Sequence, residues 1–336
     1  FIATTVIVQS HGTGQWLKLQ LAEARDISAN LDCRLPADFI WGLYRDLLGQ
    51  AKQSPMDTEL LTWRLMSILP DQHDPEFLAI RRYLDAPGDR GLRTFQLASE
   101  IARLFDQYLV YRPEWLLAWD EGNDLIASNT HTWQQRLWMS LLENYSELKT
   151  QHRARLHQSL LGMLENSERP ALLPQHISLF GLSSLPQMHL DTFRALSVHL
   201  NIDIYFMNPC RHYWGDIVSE KDKAKRSIRN LIGKSEPLED EDYLEVGNPL
   251  LASLGKQGRD FLELMLEAEE VNSFDAFVPP AVSTALGFLQ NDILNLELGG
   301  HFGDIDKLEK VKLRAEDTSI QVHSCHSKLR EVEILY

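Results

Sequence analysis

Short apolar, β-branched runs alternate along this chain with longer stretches in which apolar positions recur every three or four residues. The first run, Thr4-Thr5-Val6-Ile7-Val8, predicts a buried strand. A glycine-containing turn, Gln9 to Gly14, should follow it, then a helix whose buried face is marked by Leu17, Leu21 and Ala24. From 39 to 170 the pattern is almost wholly helical. Leu97, Ile101, Leu104 and Tyr108 share one face, and Trp133, Leu137, Leu141 and Leu148 share another. Strand patterns return at 177–180 and 202–207, with a helix over about 188–199 between them. Residues 219–245, basic then acidic, read as a solvated connection, with a DNA or partner contact by the basic half as the competing reading. Helices are expected between about 249 and 297. A last strand over 319–322 should lead into Cys325-His326-Ser327 and a helix from Lys328.

This order predicts an α/β fold that is mostly helical overall: an α/β domain interrupted by a large all-helical insertion. The expected divisions are 1–50 with 171–218 for the α/β domain and 51–170 for the insertion. Residues 219–317 form the charged loop and a helical segment, and 318–336 the start of a second, truncated domain. Both termini read as cut from a longer chain.

With 44% hydrophobic and 24% charged residues, the 336-residue chain has the composition of an ordinary folded protein. Its net charge of −15 opposes wholesale binding to duplex DNA, whose affinity rests on neutralising phosphates. Any DNA contact must therefore be local or assisted by basic partners. Three scattered cysteines, Cys33, Cys210 and Cys325, suit a reducing, cytoplasmic compartment. No apolar run long enough to span a membrane is evident.

A strand, a glycine turn and a helix invite comparison with the nucleotide-binding P-loop, G-x-x-x-x-G-K-[ST], where lysine reaches the phosphates and a hydroxyl holds magnesium. Here the turn ends Gly14-Gln15-Trp16. An uncharged amide replaces the cation, and an indole has no oxygen for a metal. After the strand at 177–180 the chain reads Gly181-Leu182-Ser183-Ser184, where a motor would place acids. The glycines either merely permit a tight bend or belong to a turn reused for touching DNA. His323, Cys325 and His326 lack a second ligand pair nearby and predict no metal site. The segment from Asn208 to Trp214 should pack or form a subunit interface.

Several stretches resemble, in order, those of the RecC family, the gamma subunits of bacterial exodeoxyribonuclease V. They are VIVQSHGTGQWLKLQLA at 6–22, LPADFIW at 35–41, LFDQYLVYRPEWL at 104–116, NPCRHYWGDI at 208–217, VGNPLLASLGKQGRD at 246–260 and CHSKLREVEIL at 325–335. The resemblance implies a RecA-like, superfamily 1 helicase-like domain that has lost its ATPase motifs. It implies a noncatalytic, DNA-binding subunit with no cofactor of its own, assembled with RecB-like helicase–nuclease and RecD-like helicase partners that use ATP and magnesium. Such a subunit takes duplex-end and single-stranded DNA, channels the separated strands and reads one of them for the Chi recombination hotspot.

By the same resemblance the reading surface would comprise Gln9, His11, Gln15, Leu35, Trp41, Arg103, Leu104, Asp106, Gln107, Arg112 and Arg153. His11 and Arg103 depart from the family pattern, where a small hydroxyl residue and an acid are expected, and Arg153 falls beside a length difference. As chemistry the list suits single strands: an indole to stack a base, arginines for phosphates or guanine, glutamines for base edges. Each residue also has a plainer reading: Trp41, Leu35 and Leu104 as core, and Arg112 as a helix cap. The rival functions are an active P-loop helicase motor and a purely structural assembly scaffold.

Overall fold

The computed structural model describes residues 3–123, 132–166, 168–217, 247–266, 272–297, 312 and 314–335. They divide into two compact units, one ending at Phe206 and one beginning at Met207. The charged stretch 219–245 lies outside the described residues.

In the first unit four parallel strands form a sheet in the order β2-β1-β3-β4. They are β1 (Thr4–Val8), β2 (Leu31–Arg34), β3 (His176–Phe180) and β4 (Asn201–Tyr205). β1 and β3 lie at the centre, and Ile7, Val8, Ile177 and Leu179 are essentially inaccessible to solvent. Register pairs Val8 with Phe180 and Phe180 with Tyr205, so these three side chains share a face. β2 carries only four residues, Leu-Asp-Cys-Arg, without a β-branched residue and too few to stand out as a strand in the sequence. Its pairing with β1, Val6 opposite Cys33, makes it a strand.

The glycine turn expected after β1 is not there. Only Gln9 and Ser10 separate β1 from α1 (His11–Arg25). Ser10, in an extended conformation, caps the helix by accepting a 3.0 Å hydrogen bond from the Thr13 N–H. Gly12 and Gly14 are therefore helical. Gly14 is the buried residue of α1 because the helix crosses the sheet there: an added Cβ would sit 3.0 Å from Cys33 Cβ and 3.5 Å from Val8 Cγ2. The expected buried face is also displaced. Leu17 is half-buried, whereas Leu21 and Ala24 are exposed, because contact is centred on Gly14 instead. Gly14→Val should cost about 1–2 kcal/mol by forcing α1 off the sheet. A shift in the urea unfolding midpoint would measure this, and an unchanged midpoint would refute the close-approach role.

α2 (Pro36–Leu48) begins with proline at its first position and ends at Gly49, which adopts the left-handed conformation. It packs against β1 and against α10 (Gln187–Ser197), where Phe39 and Phe193 stack at 5.9 Å. Between β2 and β3 the described residues after α2 include seven helices: α3 (Thr58–Ile68), α4 (Leu78–Leu84), α5 (Arg90–Tyr111), α6 (Pro113–Asp120), α7 (Thr132–Asn144), α8 (Leu148–Gln151) and α9 (Arg153–Asn166). Their core joins Leu61 and Leu65 to Phe105, Trp119, Leu137, Trp138 and Leu141, all fully buried. α5 buries Thr94, Ala98, Ile101, Ala102, Phe105 and Leu109. Leu97, Leu104 and Tyr108 stand one position aside and are half-buried.

Asp120 ends α6 inside this core. Its Oδ1 accepts from Trp138 Nε1 at 3.0 Å, and its Oδ2 accepts from Arg155 Nε and meets His152 Nε2, both at 2.9 Å. Burial alone would raise the carboxyl's pKa. The bonds to His152, Trp138 and Arg155 outweigh burial and hold it below the usual carboxylate range.

The second unit contains α11 (Pro249–Leu254), α12 (Lys256–Leu266), α13 (Ala285–Asn295) and α14 (Lys328–Leu335). Residues 272–284 are not helical, against expectation. The Asn208 to Trp214 segment packs as expected: Cys210 and Trp214 are buried, and Asn208 Oδ1 accepts from Trp214 Nε1 at 2.9 Å. Gly255 and Gly258 leave room for that indole. The strand expected at 319–322 is absent. No described strand pairs with this segment; Ser319 is held by its side chain and N–H to Leu286 and Asp317, and Val322 is 93% exposed. Among the described residues no helix is long and apolar enough to cross a membrane.

Candidate nucleic-acid interface

The eleven residues singled out from the sequence fall into two groups. The first lies where the parallel strands end, the edge at which open α/β sheets bind ligands. Gln9 immediately follows β1, and its amide donates to Ser183 Oγ, in the segment after β3, at 3.2 Å. His11 opens α1, and Gln15 stands one turn later on the same side. Both are exposed. Leu35 follows β2, half-buried at the N-cap of α2. Trp41 lies further along α2, also half-buried. Its indole donates to the Lys52 carbonyl at 2.9 Å and meets Tyr44 edge-on at 5.8 Å. The indole is thus braced while part of the ring stays accessible.

Two residues at this edge carried no warning in the sequence. Trp16 stacks on Phe180 with ring centres 6.3 Å apart, and Phe180 lies 6.1 Å from Tyr205. Trp16 and Tyr205 are each 53% exposed, so an aromatic row crosses the ends of β3 and β4. Only the strand register reveals it.

The second group lies on the helices. Arg103 is exposed and pairs with Glu100 at 3.2 Å, a contact of little energetic weight in water. Leu104 is half-buried. Asp106 and Arg153 form a 2.8 Å ion pair joining α5 to α9. The pair uses one oxygen and one nitrogen and leaves both side chains partly exposed. Arg153 also acts inward: burial first, then the charge of Arg153, pushes His189 down to about 4, so His189 is neutral at physiological pH.

Gln107 and Arg112 line one groove of about 820 Å³ among α5, α6, α9 and α10. Arg112 sits at the α5–α6 junction before Pro113. Its backbone N–H donates to Tyr108 O at 2.9 Å, its Nη1 to Tyr111 O at 3.2 Å, and its guanidinium lies 5.6 Å from the Trp115 ring centre. The capping role and an accessible cation coexist at this position. The structure thus groups Gln9, His11, Gln15 and Leu35 at the sheet edge, Asp106 with Arg153, and Gln107 with Arg112. Arg103 stands apart.

Comparison with known proteins completes the picture. Residues 1–296 match the family model described as RecC, N-terminal domain. The chain is 36% identical over 380 residues to the RecBCD enzyme subunit RecC of Haemophilus influenzae, covering 98% of this chain and 33% of that protein. It is 37% identical over 357 residues to the subunit of the same name from Escherichia coli K12, covering 98% and 32%. The corresponding Mycolicibacterium smegmatis subunit is 29% identical over 342 residues, covering 100% and 28%. The chain therefore spans about a third of the length of these relatives.

Proposed function

The chain belongs to the RecC family, and on that premise we propose that it forms part of a noncatalytic, DNA-guiding subunit of an ATP-dependent helicase–nuclease complex that repairs double-strand breaks. Its partners are RecB-like and RecD-like subunits, which use the ATP and magnesium. Its four-stranded sheet with flanking helices is taken as a degenerate RecA-like domain, drawn from 1–50 and from 171 to the end of the first unit at Phe206. Its role is to keep separated strands apart and to read one of them for the Chi hotspot through the two groups of side chains.

The observation that carries the noncatalytic reading is the junction of β1 and α1. A P-loop cradles phosphates in the backbone N–H groups of a glycine-rich loop between strand and helix. Here two residues make that connection, and the Ser10 side chain occupies the free N–H of Thr13, the third residue of the helix. Gln15, the fifth residue of α1, has no charge to offer a triphosphate. Both the cradle and the cation are missing.

A coupled-enzyme assay of the chain with magnesium and ATP should show no turnover, with or without single-stranded DNA. Sustained hydrolysis that disappears in Ser10 or Gln15 variants would establish the motor reading instead. DNA contact is tested separately. With a net charge of −15 the chain should hold DNA weakly, so a photoreactive 3′-ended strand is the suitable probe. Adducts at Gln15, Trp41 or Arg112 support strand guidance. Their absence from the whole chain supports an assembly scaffold.

A further inference from the structure

The two arginines assigned to strand contact at the helices, Arg112 and Arg153, stand on elements that one buried carboxylate ties together. α6 has eight residues, with Arg112 at its N-cap and Asp120 as its last residue. A helical rise of about 1.5 Å per residue puts about 12 Å between the two. Arg153 is the first residue of α9, and His152 before it is extended (φ −77°, ψ 149°), which breaks α8 from α9.

His152 holds that break in place. Its carbonyl accepts from the Leu156 N–H at 3.1 Å, and its Nδ1 accepts from the Arg155 N–H at 3.4 Å, so it caps α9. A ring accepting at Nδ1 carries its proton on Nε2, which then donates to Asp120 Oδ2 at 2.9 Å. Arg155 Nε donates to the same oxygen at 2.9 Å. Arg153 is thus flanked on both sides by residues fixed to the end of α6, while its guanidinium reaches Asp106 of α5.

Stability alone gives no reason for an acid at this point. A helix C-terminus disfavours negative charge, and a buried ionic group seldom outdoes apolar packing of the same volume. The Asp120 side chain is nonetheless only 6% exposed, beside a core of apolar side chains. What its oxygens add is direction: they accept from three fixed donors and so admit one arrangement of α6, α7 and α9.

We propose that Asp120 is a positioning residue for strand contact, fixing the spacing of Arg112 and Arg153 by locking the end of α6 to the start of α9. The assignment rests on the strand-guiding function proposed above and adds to it a residue that itself touches no DNA.

Asp120→Asn is the isosteric probe. Its amide can keep the bond from Trp138 but sets N–H groups against the Nε2–H of His152 and the Nε–H of Arg155. Binding of a 3′-ended single strand is read by fluorescence anisotropy at low salt for the chain and its variants. In the wild type, Arg153→Gln should weaken binding about fivefold or more. In the Asp120→Asn background, itself weakened, the same change should add less than about twofold, because the arginine is already out of place. Arg155→Gln, at a partly exposed position, keeps the fold and should shrink the Arg153 effect in the same sense. Ile101→Val, which loosens the same core without touching the network, should leave that effect whole. An Arg153 effect of equal size in the wild-type and Asp120→Asn backgrounds overturns the positioning role and leaves strand guidance standing. So does wild-type binding by Asp120→Asn. If neither Arg112→Gln nor Arg153→Gln weakens binding, the positioning role falls together with the assignment of these arginines to strand contact. A chain that binds no strand overturns both the positioning role and strand guidance.

Discussion

Asp120→Ala should lower the stability of the first unit by about 3–4 kcal/mol, the largest single-site effect foreseen in this protein. The carboxylate is the common acceptor for Trp138, His152 and Arg155. The Trp138 and His152 side chains are shut off from water, so removing Asp120 strands their N–H groups with no replacement partner. Arg155, 31% exposed, can turn to solvent and lessens the loss. Asp120→Asn keeps one acceptor and should lose roughly half as much. Urea unfolding of the three proteins measures the series, and a loss under about 1 kcal/mol for the alanine variant would mean that the network is idle.

The same network fixes a pH dependence and its sign. Asp120 titrates lower in the folded protein than in the unfolded chain, so the unfolded state takes up the proton first. The stability it contributes is complete above the ordinary aspartate value of about 4 and disappears as pH falls through the depressed folded value. The gap between wild type and Asp120→Ala should therefore be constant above about pH 5 and narrow on acidification. A gap that widened towards low pH would contradict the assignment.

The second large effect is on strand binding. Trp41→Ala should weaken single-stranded DNA binding by about 1–3 kcal/mol, roughly 5- to 150-fold, if the accessible part of the indole stacks a base. Fluorescence anisotropy at low salt reads the change, because low salt brings weak binding into range. Trp41→Phe separates stacking from scaffolding. It keeps an aromatic face but loses the bond to Lys52 O. Restored binding assigns the effect to the ring, whereas an equal defect in both variants assigns it to the brace beneath α2. Unimpaired binding by Trp41→Ala would remove this residue from the interface.

Features that depend on neighbours in the chain were legible from residue types alone. β1, β3 and β4 are runs of apolar and β-branched residues, and each lies within a residue or two of its expected place. The helical stretch declared itself through Leu137, Leu141 and Leu148, all fully buried. The missing lysine at Gln15 and the ordered family words were equally plain. Two local signals misled for a physical reason: a glycine serves both tight turns and close helix–sheet approach, and Gly14 turned out to do the second. The alternating Ser-Ile-Gln-Val segment at 319–322 has strand character, but a strand exists only with a partner.

What the tertiary structure alone decided is which distant residues meet. Asp120 and Trp138 come from α6 and α7, and His152 and Arg155 from the α8–α9 junction and α9, and no spacing rule links the three regions. The side of α1 that touches the sheet, the row of Trp16, Phe180 and Tyr205, and the shared groove of Gln107 and Arg112 arise from parallel register and helix packing. Local sequence sets what each segment prefers to be, because propensity and periodicity act over a few residues. Partners and exposure are settled only when segments far apart in the chain bury one another, and on this chain that step created both groups of candidate DNA-reading side chains.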